Sequence, residues 1–106
     1  MKRRSHAKAV DANQPGVVEM LRMVGAYVHV SGEPFDLLVA YRGQWFVIEV
    51  KDGSKPPSAQ KLTAKEIETL VKLRGAAPVY VARNPTEALC SIGAIPWPEV
   101  DIDAAP

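Results

Sequence analysis

Three ionisable residues lie at the ends of two neighbouring apolar segments. Asp36 opens the segment 36–41, and Glu49 and Lys51 close the segment 45–51. Charges beside a buried sheet are costly without a partner, and carboxylates with an ammonium group suit a hard divalent cation and a phosphate. The pattern predicts metal-dependent cleavage of a phosphodiester bond. Asp36, Glu49 and the carbonyl of Val50 would hold Mg²⁺ or Mn²⁺, and Lys51 would stabilise the charge on the phosphate.

The loop between the two segments decides whether these side chains meet. As a hairpin, a two-residue Arg42-Gly43 loop sets Asp36 opposite Glu49, and a Gly43-Gln44 loop sets Asp36 opposite Lys51. Both put the three charges on one face of the sheet. A three-residue loop would separate them. The alternative explanation is that the acids reach water at the strand ends, with Lys51 as a surface ion-pair partner.

The remaining pattern predicts the elements that would position these residues. The expected order is helix, three strands, helix, strand and a short last helix, which makes an α/β fold around a small mixed sheet. Asn13 is the predicted cap of the first helix, and Thr63 with Glu66 forms a capping box. The second helix is expected to bury four apolar side chains, those of Ile67, Leu70, Val71 and Leu73.

Length and composition indicate one domain over residues 1–106. The chain has 47% hydrophobic and 24% charged residues, which fits one modest core. Its longest apolar runs fall far short of the roughly 18 residues that span a bilayer, so no membrane contact is expected. A single cysteine, Cys90, indicates a reducing cytoplasm.

Basic residues are concentrated in two stretches, although the net charge is only +1. Around one site, such stretches favour a polyanion and predict contacts with DNA phosphates. A basic arm, 1–10, and an acidic, proline-rich tail, 96–106, are expected to be flexible. The predicted phosphate-binding residues are Lys2, Arg3, Arg4, Lys8, Lys55 and Lys61.

Several short motifs together resemble the PD-(D/E)xK nuclease superfamily, within its VRR-NUC-like and Holliday-junction-resolvase-like group, which is common in phage genomes. The resemblance implies a restriction-endonuclease-like αβββαβ core, divalent-metal-dependent cleavage of DNA, with branched DNA as one candidate substrate, and a homodimer. It also implies a bacterial or phage-infected cytoplasm and no organic cofactor. The matching motifs are Asp11-Ala-Asn13-Gln14, Pro34-Phe-Asp36-Leu-Leu-Val, Ile48-Glu49-Val-Lys51-Asp52-Gly53, Lys55-Pro-Pro-Ser58 and Lys61-Leu-Thr63.

By this resemblance Asp36 and Glu49 take the metal-ligand positions and Lys51 that of the catalytic lysine. The sequence departs from the family at three points. Phe35 separates the usually adjacent Pro and Asp. Gly16 stands near the position where many relatives carry a first-helix Glu. The substitute candidate is Gln14, because Glu19 lies opposite the apolar stripe of that helix. Where relatives often carry a Gln, this chain has Glu66, whose capping role is enough to explain it.

Other residue types point to no further site. His6, His29 and Cys90 lack the spacing of zinc ligands, and Trp45 and Tyr41 fit cross-strand packing better than base stacking. The main alternative function is a non-catalytic DNA-binding module with a degenerate nuclease fold, which the glycine at position 16 favours. A third is a protein-interaction domain, for which no salt-dependent affinity for nucleic acid is expected.

Overall fold

The computed structural model of the chain describes residues 12–33 and 35–99. The predicted basic arm, 1–10, with Lys2, Arg3, Arg4 and Lys8, lies outside the described residues, as does most of the predicted acidic tail. The elements are, in chain order, α1 (Gln14–Met23), β1 (Tyr27–Val30), β2 (Leu37–Tyr41), β3 (Gln44–Val50), α2 (Ala64–Leu73), β4 (Val79–Ala82) and α3 (Pro85–Ser91). One turn of 3₁₀-helix, Pro57–Gln60, lies between β3 and α2.

The four strands form one mixed sheet in the order β1-β2-β3-β4. β1, β2 and β3 are successively antiparallel, and β4 is parallel to β3. The parallel pair requires a crossover, which α2 supplies. The predicted α/β class with a small mixed sheet and three helices is therefore confirmed for the described part of the chain.

The β2–β3 hairpin uses the two-residue Arg42-Gly43 loop. Tyr41 pairs with Gln44, and both loop residues have positive φ angles, 50° for Arg42 and 81° for Gly43. Positive φ at both positions is the geometry of a type I′ turn, which matches the twist of the flanking strands. Of the two favourable registers, the structure therefore has the one that directs Asp36 toward Glu49.

The main core lies on one face of the sheet, beneath α1 and α3. Alternate residues of the strands point into it, as expected for a sheet buried on that face. Its residues include Val17 and Leu21 from α1, Val39 and Ile48 from the sheet, and Ala88 from α3, each completely shielded from solvent. This layer fixes the sheet on which the ionisable residues are arranged.

The opposite face carries α2, and here one expectation was wrong. Ile67 and Val71, predicted to be buried, are 49% and 56% exposed. Leu70 and Leu73, predicted to be buried with them, are only half-buried. Ile67 and Val71 lie on the flank of α2 turned away from the sheet, whereas Glu66 faces inward and is buried. Helical periodicity identifies an apolar stripe but does not say what covers it.

The start of α1 also differs from the prediction. Asn13 occupies the cap position, but its side chain makes no capping hydrogen bond. Its amide instead donates to the carbonyls of Lys51, at 2.9 Å, and Arg83, at 3.1 Å. The side chain thus joins α1 to the ends of β3 and β4. Across the described residues, no helix is long and apolar enough to cross a bilayer.

Candidate functional site

The ionisable cluster forms where β2 begins and β3 ends. Leu37 pairs with Ile48, and continuing this register by one residue sets Asp36 opposite Glu49. Directly opposed residues share one face of a sheet with Cα atoms about 4.5–5.5 Å apart. Lys51 lies two residues beyond Glu49 on that face, and its Nζ is 3.3 Å from Glu49 Oε2. The three side chains predicted from the sequence are therefore brought together.

All three charged side chains are removed from water. Asp36 is 5% exposed, Glu49 1% and Lys51 9%. The explanation that these are strand-end charges reaching solvent therefore fails. Buried charges at such positions must be compensated by partners, and those partners define what the cluster can do.

Asp36 is held by the backbone of β3. Its Oδ2 accepts a hydrogen bond of 2.8 Å from the amide of Val50, a charge-assisted contact that fixes the carboxylate against the strand. The direction of the Val50 carbonyl follows from the next residue, because the backbone N–H of Lys51 donates to the carbonyl of Ala82 in β4. Because successive residues of a strand direct their polar groups to opposite edges, the Val50 carbonyl lies on the edge nearer Asp36. This is the edge required if that carbonyl is to join Asp36 as an oxygen ligand.

Lys51 is held in its cationic form. Burial alone would lower the pKa of Lys51, but the negative charges and hydrogen bonds of Glu49 and Glu66 outweigh it and raise the pKa above its ordinary value. The ammonium group therefore persists through neutral and mildly alkaline pH. In this environment Lys51 can stabilise negative charge, but it is poorly suited to accept a proton.

Glu66 is the site residue that sequence reasoning missed. Its capping box with Thr63 was predicted and is present. The same carboxylate also lies 3.3 Å from Lys51 Nζ and is only 3% exposed. A capping motif is a local signal, whereas the approach of α2 to the end of β3 depends on tertiary structure. The one hint in the sequence was that Glu66 stands where the nuclease family that the sequence resembles often has a Gln.

Gln14 lies at the same end of the sheet, in the layer of α1. It is 5% exposed, and within the described part of the chain its Oε1 has no hydrogen-bond partner. Gln14 also lines a cavity of about 660 Å³ that extends to Val30 at the end of β1. A buried amide oxygen of this kind needs a donor or a cation. Its position next to Asn13 places it close to the end of β3.

The two described lysines predicted to contact phosphates lie outside the cluster. Lys55 and Lys61 are both exposed, on the connection between β3 and α2. That connection begins with a turn in which Asp52 accepts hydrogen bonds from the hydroxyl and the amide of Ser54. These two bonds lower the pKa of Asp52, the hydroxyl contributing more. Asp52 is therefore a structural acid of the loop.

Other residues considered from the sequence stay apart from the cluster. Glu19 and His29 are exposed, and Cys90 is buried in the last helix. Trp45 packs edge-to-face against Tyr27 with ring centroids 6.2 Å apart, the cross-strand packing that was expected for it.

The donor set at the site is mixed. Among the described residues, no group of three or more His, Cys, Asp or Glu side chains is arranged to hold a metal ion. Any ion at this site would therefore depend on two carboxylates supplemented by neutral oxygens. Comparisons with protein-family models, curated proteins and solved structures gave no significant match. The resemblance to PD-(D/E)xK nucleases stays a prediction.

Proposed function

We propose that this chain is a divalent-metal-dependent endonuclease that hydrolyses phosphodiester bonds of DNA in the cytoplasm. The supporting observation is the buried cluster in which Asp36 lies opposite Glu49 and Lys51 Nζ is 3.3 Å from Glu49 Oε2. Two hard anionic ligands beside one fixed cation form a suitable arrangement for binding a metal and a phosphate together. The order of the elements is compatible with a restriction-endonuclease-like core, which we include in the proposal.

The ion in this proposal is Mg²⁺ or Mn²⁺, because the available donors are hard oxygen atoms. Asp36, Glu49 and the Val50 carbonyl would hold the ion. The amide oxygen of Gln14, which has no hydrogen-bond partner among the described residues, is a further hard donor at this end of the sheet. When bound, the ion would neutralise phosphate charge and orient the attacking water.

Lys51 contributes the fixed positive charge of the site. Its raised pKa keeps the ammonium protonated at physiological pH. The ammonium stabilises the additional negative charge of the phosphorus centre as water attacks and the bond to the leaving oxygen breaks. Burial increases this stabilisation, because charges interact more strongly where water is excluded.

DNA is the proposed partner, and a second copy of the chain the proposed assembly. Lys55 and Lys61 project from the connection that follows the site, where phosphates on either side of the cleaved bond would pass. A chain of 106 residues covers little duplex alone, so two copies would supply one site for each strand.

Cleavage of labelled duplex, single-stranded and branched DNA tests the proposal. The wild type should cleave at least one substrate in Mg²⁺ or Mn²⁺, and Glu49→Gln should not. Glu68→Gln is the matched control, because Glu68 is an exposed acid on α2 and its variant should retain full activity. Intact DNA with the wild type in both metals would refute the proposal.

A non-catalytic DNA-binding module is the second candidate. Gly16 favours it, because no side chain is available there to supply the acid that many related sequences carry, and the space beside its Cα is open. This candidate predicts salt-dependent binding of DNA by a wild type that cleaves none of the substrates.

A further inference from the structure

One oxygen atom connects the start of α2 to Lys51. Glu66 Oε1 accepts the backbone N–H of Thr63 at 2.8 Å and lies 3.3 Å from Lys51 Nζ. The reciprocal bond, from the Glu66 amide to Thr63 Oγ1, is 3.1 Å long. The capping box therefore fixes the position of the carboxylate, and the carboxylate in turn restricts where the ammonium can lie.

Capping alone does not account for the placement of Glu66. A glutamate at the third position of a helix commonly completes a capping box from the surface, in contact with water. Here the side chain is 3% exposed and has a buried ammonium as its second partner. Burying a carboxylate is costly, so the position is maintained by the partner it meets.

The other contacts of α2 with the sheet are weak by comparison. Its residues Ile67 and Val71 are about half exposed, and Leu73 lines a cavity of about 290 Å³ together with the sheet residues Leu38 and Val47. The ion pair between Lys65 and Glu33 is on the surface, where such a pair contributes little. The Glu66–Lys51 contact is therefore a principal attachment of α2 near the site.

We propose that Glu66 is a positioning residue that couples the docking of α2 to the placement of the Lys51 ammonium. This inference rests on the proposed function, because the ammonium matters as the group that meets the phosphate. Without Glu66, Lys51 would retain its ion pair with Glu49, but its ammonium group could move around the Glu49 carboxylate. A displacement of about 1 Å in a catalytic group is enough to cost on the order of 100-fold in rate.

Three variants separate positioning from helix capping. Glu66→Gln retains the oxygen that accepts both hydrogen bonds, since Gln also completes a capping box. Glu66→Ala removes the oxygen, and Thr63→Ala removes only the reciprocal cap. Single-turnover cleavage should fall about 100-fold in Glu66→Ala with KM for DNA within about twofold. Glu66→Gln should restore most of the rate, and Thr63→Ala should behave as wild type.

Two kinetic results would overturn the proposal. If Thr63→Ala loses as much rate as Glu66→Ala, the carboxylate acts only through the helix start. If Glu66→Ala cleaves at the wild-type rate, the Lys51 ammonium needs no support from α2. Circular dichroism confirms that each variant retains its helices.

A double-mutant cycle in urea tests the coupling without any cleavage. Glu66→Ala and Lys51→Met should interact by at least about tenfold in the unfolding equilibrium constant. The exposed Glu68–Lys72 pair, 3.9 Å apart, is the control and should interact by less than about threefold. Cleavage without this coupling would refute the role of Glu66 alone, whereas coupling without any cleavage would refute the proposed function.

Discussion

Replacing Lys51 by Met should destabilise the fold far more than the same replacement at a surface ion pair. Lys51 lies 3.3 Å from both Glu49 and Glu66, whose side chains are 1% and 3% exposed. At an effective dielectric constant of about 20, unit charges at this separation attract by roughly 5 kcal/mol per pair. Desolvation offsets part of this attraction. Loss of one member of a buried charge group therefore costs about 3–5 kcal/mol, because the remaining carboxylates stay buried.

The matched control is Lys65→Met. Lys65 pairs with Glu33 at a shorter distance, 3.0 Å, but the two side chains are 71% and 56% exposed. Such pairs contribute about 0–1 kcal/mol, so this variant should be nearly as stable as the wild type. The comparison tests whether burial, rather than distance, decides the size of the effect.

Urea unfolding, monitored by circular dichroism, measures the free energy of unfolding of both variants. The total free energy of unfolding of a small domain is about 5–15 kcal/mol, so Lys51→Met should unfold at a much lower urea concentration than the wild type, whereas Lys65→Met should unfold at nearly the wild-type midpoint. Equal loss of stability in the two variants would refute the reasoning, because it would mean that the Lys51 cluster is as well hydrated as the surface pair.

Three further predictions concern the metal, the hairpin and the last helix. Mn²⁺ at about 100 times its Kd should stabilise the wild type by about 2.7 kcal/mol in urea, and equal stabilisation of Asp36→Asn would mean that the ion binds elsewhere. Gly43→Val should lower the free energy of unfolding by about 1–2 kcal/mol, because the type I′ turn requires a positive φ there. The control Gly16→Ala, in open space within α1, should cause no loss. Unchanged stability of the Gly43 variant would contradict the turn assignment. Asn84→Ala should lower the free energy of unfolding, measured by thermal denaturation, by about 1 kcal/mol. Asn84 Oδ1 caps α3 by accepting a hydrogen bond of 2.8 Å from the Glu87 amide. An unchanged value would show that this cap contributes no stability.

The hairpin shows both what the sequence could predict and why one alternative stayed open. Two apolar segments separated by Arg-Gly-Gln predict a hairpin, and either two-residue loop puts Asp36 on the face of Glu49 and Lys51. Glycine suits a positive φ in both loops. The adopted turn also requires Arg42 at φ 50°, which is unusual for a residue with a Cβ. Strand pairing, not turn propensity, therefore selects the register.

The contacts made by Asn13 and Glu66 required tertiary information. Both residues carry strong local capping signals, and Glu66 fulfils its local role. The side chain of Asn13 instead binds the carbonyls of Lys51 and Arg83, which lie 38 and 70 positions away. Local patterns predict where a helix begins, but not which distant groups its first residues will meet.

The exposure of α2 has a related explanation. Ile67 and Val71 follow the helical period, so the sequence predicted that they are buried. One narrow helix on a four-stranded sheet buries only the side facing the strands, and here that side is occupied partly by Glu66. A buried acid on the inner side of an amphipathic helix is a feature that apolar periodicity does not reveal.

The most direct test of the proposed metal site is a crystal structure with Mn²⁺, examined for anomalous scattering. The proposal predicts a peak bound by the carboxylates of Asp36 and Glu49 and by the Val50 carbonyl, with Lys51 still directed toward Glu49. A well-ordered site without an anomalous peak at saturating Mn²⁺, or a peak bound only by other residues, would contradict it.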